Sequence, residues 1–127
     1  MNTKYIYYII ASVAFIALNF SLDSYELTRS ESAKYDLAAD GMLDLKNKYG
    51  KIHITSWNKQ QTTIDVEIKV DARNESKAQE IMDRITINFD KQGNKVKAHT
   101  EIGDSKSNNW WSYNTKFEIN YTVNMPR

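Results

Sequence analysis

Residues 64 to 71 read IDVEIKVD: Ile64, Val66, Ile68 and Val70 alternate without interruption against Asp65, Glu67, Lys69 and Asp71. Successive side chains of a strand point to opposite faces, so this segment reads as a ribbon with one dry face and one wet face. A helix would scatter the same residues around its circumference. The same period extends in both directions. Leu43 and Leu45, Ile52 and Ile54 precede the segment; Ile85, Ile87 and Phe89, then Val96, Ala98, Thr100 and Ile102, then Phe117, Ile119, Tyr121, Val123 and Met125 follow it, each set interleaved with polar residues. One-sided hydration of this kind belongs to antiparallel sheets or a solenoid wall rather than to doubly buried parallel strands.

Between the runs lies turn chemistry. Asn47-Lys48-Tyr49-Gly50 predicts a turn with Gly50 at positive φ, and Lys91-Gln92-Gly93-Asn94 predicts a hairpin. One segment departs from the period of two. Ser76-Lys77-Ala78-Gln79 fits a capping box, and Ala78, Ile81, Met82 and Ile85 follow at helical spacing, which predicts a short amphipathic helix at about 75–84. The fold class predicted is mainly β: about six antiparallel strands, a sheet or sandwich leading into a β-solenoid, with that one helix.

The chain has 127 residues, enough for one domain, with 17 basic and 16 acidic residues, no Cys, 4 Gly and 1 Pro. This balance carries no basic excess for nucleic acid. Tyr5 to Phe20, YIYYIIASVAFIALNF, is uncharged and follows Lys4. A basic start and an apolar run predict a signal peptide or N-terminal anchor over 1–22, and the run is short for a membrane span. Ala17, Ser21 and Ser24 supply small residues for cleavage without a clean A-x-A. Residues 23–40 read as a linker with one short strand near Tyr35–Leu37, and 41–127 as the β domain.

Candidate sites are few. Trp110, Trp111 and Tyr113, in the polar loop GDSKSNNWWSYN, read first as a cover over a sheet edge or over the site of a following rung; the functional reading is a stacking platform for a surface glycan or an envelope protein. His53 and His99 fall on wet strand faces without zinc-ligand spacing, so no metal is predicted. Asp65, Glu67 and Asp71 read as a solvated face, and Asp40-Gly41 is too little for a calcium loop. Trp57 reads as packing at a strand end. No phosphate-cradling or nucleophile-elbow motif occurs, and thiol catalysis has no residue to use; no catalytic residue and no cofactor is predicted.

Four landmarks occur in order: Asn47 to Ile52, Ile54 to Lys59, Lys77 to Ile85, and Asn120 to Pro126. Over roughly residues 36 to 127 this order resembles the N-terminal region of the exported bacterial adhesin-labelled family, uncharacterised β-strand-repeat proteins frequent in Bacteroidetes. The resemblance implies a location in the periplasm, outer membrane or cell surface, no enzymatic activity and action by surface contact. It also implies continuation beyond Val123-Asn124-Met125-Pro126 into stacked repeats, which this chain lacks; the expectation is therefore an N-terminal fragment of a longer protein. Its strand Thr115–Met125 is then expected at an open edge prone to self-association. The other reading in view is an envelope sensing or regulatory binding module, anchored in the membrane through residues 5–20 if these stay uncleaved; a sugar-active enzyme is the weakest option.

Overall fold

The computed structural model describes residues 11–17, 24–103 and 115–127. The chain runs β1 (Ala11–Ala17), β2 (Tyr25–Asp36), β3 (Met42–Lys46), β4 (Ile52–Trp57), β5 (Gln61–Ala72), α1 (Glu75–Asp83), β6 (Ile85–Gln92), β7 (Lys95–Ile102) and β8 (Lys116–Pro126). A five-stranded sheet has the order β1-β2-β5-β8-β4 and a three-stranded sheet the order β3-β7-β6. The mainly-β fold with one short helix is therefore as the alternation predicts. The described residues form neither a closed barrel nor a solenoid.

The dry faces of the alternating runs meet between the two sheets. Ile64, Ile68 and Val70 of β5, Ile119 and Val123 of β8, and Val96 and Ala98 of β7 are fully buried. Each such Ile or Val side chain contributes about 1.5–3 kcal/mol by leaving water. The helix adds Ala78, Ile81 and Met82 to the same core. It packs against β2 and β5, beside the three-stranded sheet.

Several expectations are corrected. The sheets are mixed: β4 pairs parallel with β8, and β3 parallel with β7. Period-two alternation reports which face is dry and is blind to strand direction. β4 and β5 are joined by a short link yet do not pair, because β8 inserts between them, antiparallel to β5 and so parallel to β4. The strand Lys116–Pro126 is thus an interior strand, and the open edge belongs to β4. Residues 25–36 are no linker: they form the twelve-residue β2, paired along its length with β5. The polar composition of β2 hides it, since Arg29 and Glu31 stand where apolar residues would be expected. Ala11–Ala17, inside the predicted leader, pairs antiparallel with β2. Among the described residues no helix is long and apolar enough to cross a membrane.

The cap of α1 is Asn74, whose side chain accepts from the Lys77 amide at 2.8 Å, two residues earlier than the Ser76 box predicts. The far end of the helix is held by Arg29 of β2, which donates to the Met82 and Ile85 carbonyls. Arg29 also pairs with Glu31 at 3.0 Å. The hairpin at Gly93 forms as predicted, with Gly93 at φ 60°.

Asn47–Lys51 is not a hairpin but a crossing from one sheet to the other. The positive φ lies on Tyr49, at 64°, and not on Gly50. Gly50 is needed for closeness instead: a Cβ there would stand 1.7 Å from the Ile119 carbonyl oxygen. The crossing lies directly on β8, with the Ile119 amide donating to the Tyr49 carbonyl at 3.0 Å and the Tyr121 amide to that of Lys51 at 2.8 Å. Gly50→Ala is expected to push the crossing off β8 and to cost about 2 kcal/mol or more, the usual scale of overpacking a tight contact. Urea unfolding of the variant beside the parent chain measures this, and an unchanged midpoint would contradict it.

Candidate functional site

The wet face of the five-stranded sheet is a grid of short polar residues. Asp65 and Glu67 are exposed, and the Ser32 hydroxyl donates to Asp65 at 2.6 Å. Lys69 lies 3.6 Å from Glu67 with both half exposed, a pairing worth little in water. Asp71 is partly buried. The alternation is therefore correct about Asp65 and Glu67, while one carboxylate oxygen of Asp71 is buried. Nothing in this grid brings two carboxyls into a shared dry site of the kind acid–base chemistry uses.

At the end of this face is an open depression of about 660 Å³, bordered by Tyr49, Phe117, Lys51, Lys69 and Lys116, with Glu26, Asp71 and Glu118 among them. The Tyr49 ring meets Phe117 edge-on, with centroids 4.9 Å apart at 63°. Its rim mixes both charge signs, which gives no single ionic class of ligand an advantage.

Beneath the crossing, a chain of hydrogen bonds, buried at its Thr100–Tyr121 end, joins the two sheets. The Asn47 side chain donates to the Ile119 carbonyl at 2.8 Å and accepts from the Thr100 hydroxyl at 3.0 Å. The Thr100 hydroxyl is also 2.7 Å from the Tyr121 hydroxyl. Burial pushes the Tyr121 phenol above its ordinary value; the Thr100 hydrogen bond opposes this and the charge of Glu31 adds to it.

The side of the molecule beyond this network is the β4 edge. Ile52 stands beside Tyr121 and Ile54 beside Val123, so both extend buried core rows by one strand. Here the rows run out from under cover: Ile52 is 39% and Ile54 48% exposed. The Lys51 carbonyl accepts from Tyr121 of β8, and the Trp57 carbonyl from Arg127, the residue just after β8. Since N–H and C=O of one residue point to the same side of a strand, His53 and Thr55 also face β8, and Ile52, Ile54 and Ser56 turn their backbone groups outward. Among the described residues no strand pairs with that outer edge. Trp57 lies at the strand end as predicted, its indole N–H donating to the Gln61 carbonyl at 2.8 Å, with the Lys59 ammonium 4.8 Å from its ring centroid.

Trp110, Trp111 and Tyr113 lie outside the described residues. His53 and His99 are not brought together: His53 is exposed on β4, whereas His99 on β7 lies 3.1 Å from the Asp44 carboxylate. That hydrogen bond holds the Asp44 carboxyl below its ordinary value, against some desolvation and with help from Lys95 and Lys97. Among the described residues no group of three or more His, Cys, Asp or Glu could hold a metal ion. Asn47, Tyr49 and the outward edge of β4 escape a reading of the sequence for chemistry. Their only signal is the Asn47-Lys48-Tyr49-Gly50 motif. No family model, no curated protein and no solved structure matches this chain.

The Tyr121 environment yields a pH dependence. A phenol whose folded value is raised keeps its proton after the unfolded chain has lost it, so its contribution is complete below pH 10 and falls away as pH rises through the folded value. Tyr121→Phe removes both the hydrogen bond and the titration. The parent chain is expected to be more stable than the variant by about 1 kcal/mol near neutral pH. That gap is expected to narrow as pH rises above 10 in urea titrations. A gap constant over that range would contradict the assignment.

Proposed function

We propose that this chain is a non-enzymatic, exported domain of the bacterial cell envelope that acts by surface contact, and that β4 is the edge through which it makes contact. The observation that carries this reading is the pair Ile52 and Ile54, two apolar residues continuing the core rows of β5 and β8 into solvent beside outward backbone groups. Such an edge is a template for another strand: main-chain hydrogen bonds supply affinity, and alternate side chains supply selectivity. The apolar start of the chain, Tyr5 to Phe20 after Lys4, supports export. The likeness to the adhesin-labelled family over residues 36 to 127 supports the same location.

If the leader is removed, β1 goes with it, and β2 loses the strand that covers its outer side. β4 retains its arrangement either way, because it depends only on β8 and the crossing. This makes β4 the edge of the five-stranded sheet whose availability does not depend on processing.

The test uses the full chain with a C-terminal epitope, expressed in a Gram-negative cell and followed by fractionation and N-terminal sequencing. The epitope is expected in the envelope fraction, and Ile54→Lys is expected to weaken its retention there without impairing folding. An epitope confined to the cytoplasm contradicts export. Retention indifferent to Ile54→Lys contradicts β4 as the contact edge.

A further inference from the structure

We infer that the β4 edge is occupied by β4 of a second copy of this chain, antiparallel, with Ile54 on the twofold axis. The inference rests on the reading of β4 as the contact edge and names its occupant. The backbone sets the register. Residues that turn their N–H and C=O outward are Ile52, Ile54 and Ser56. An antiparallel partner must match outward residues with outward residues. Centring on Ile54 pairs Ile54 with its own copy, Ile52 with Ser56, His53 with Thr55, and Lys51 with Trp57.

In this register β4 is self-complementary. On the apolar face Ile54 meets Ile54, with Ile52 to either side, so the exposed ends of the core rows cover one another. On the polar face Lys51, the residue just before the strand, stands opposite Trp57, whose ring already carries the Lys59 ammonium at 4.8 Å. No like-charged pair faces itself across the axis, the arrangement that would oppose pairing.

The other edges with described side chains are defended in the way edge strands usually are. β3 carries Asp44 and Lys46, and β6 carries Asp90 and Lys91. β4 has neither Pro nor a bulge; its ladder to β8 runs unbroken from Ile52 to Trp57. Its interior, Ile52-His53-Ile54-Thr55-Ser56, holds no Lys, Arg, Asp or Glu. A six-residue strand rich in β-branched side chains and lacking these devices is one that pairs.

The absence of native cysteine makes the register directly testable. Ile54→Cys places two sulfurs on the axis, where directly opposed, hydrogen-bonded residues have Cα atoms about 5.5 Å apart, inside the range a disulfide spans. Ile52→Cys places its two copies four residues out of register, about 13 Å apart at strand rise, beyond that range. Both variants of the purified full chain are oxidised under identical conditions and read on non-reducing gels, with circular dichroism confirming the fold. In parallel, sedimentation of the parent chain and of Ile54→Lys is followed over a concentration series.

The expected result is a covalent dimer from Ile54→Cys alone, a parent chain whose mass rises with concentration, and a monomeric, folded Ile54→Lys. A parent that stays monomeric throughout, or cross-linking equal at the two positions, overturns the second-copy assignment. If the parent is monomeric and envelope retention still depends on Ile54, the edge takes a strand from another protein; the contact reading then stands while this inference falls.

Discussion

The close approach of the Asn47–Lys51 crossing to β8 is the constraint on which the rest of the structure depends. The chain must leave the three-stranded sheet and enter the five-stranded one in five residues, and it does so by laying Gly50 against the Ile119 carbonyl. Only a residue without a side chain permits that distance. Tyr49 accepts a left-handed backbone to make the bend, and the Asn47 side chain bonds the same Ile119 carbonyl. Because the crossing is fixed to β8, the strand that follows it also lies against β8, parallel to it, and β5 must take the opposite side. One tight contact thus decides the order of three strands and leaves β4 at the edge.

The energetics follow the same geometry. Five strands on one side face three strands and a helix on the other, so the smaller layer cannot cover every apolar row of the larger. Rows through Ile64 and Val66 are sealed at β5 and β8 but emerge at Ile54 and Ile52 on β4. Two hydroxyls drawn into the core are satisfied: Thr62 donates to the Asn124 carbonyl, and Thr100 bridges Asn47 and Tyr121. Among the described residues this exposed end of the core lies on the side where the outward backbone groups of β4 pair with no strand. This coincidence of apolar surface and open edge underlies the functional proposal.

Much of this fold is legible in the sequence, for a definite reason. Hydration selects faces, so alternation locates β5 through β8, and helical spacing locates α1. Alternation does not encode partners, so the insertion of β8 between β4 and β5, and the two parallel ladders that result, lie beyond it. β2 is hidden for another reason: Arg29 and Glu31 point toward the core as an ion pair, with Arg29 capping α1, and a charged pair in a strand reads as a polar linker. The candidate edge is legible only in part. Ile52 and Ile54 announce a dry face, but only the sheet order shows that the covering layer stops short of them.

Amide hydrogen exchange along β4, measured by NMR at a concentration where the chain is monomeric, tests the open edge most directly. Alternation is expected within one strand: slow exchange at His53, Thr55 and Trp57, which face β8, and fast exchange at Ile52, Ile54 and Ser56, which face outward. Uniform protection of all six amides would mean that another element of the chain already covers β4, and uniform fast exchange would mean that β4 is not held on β8; either pattern contradicts the account.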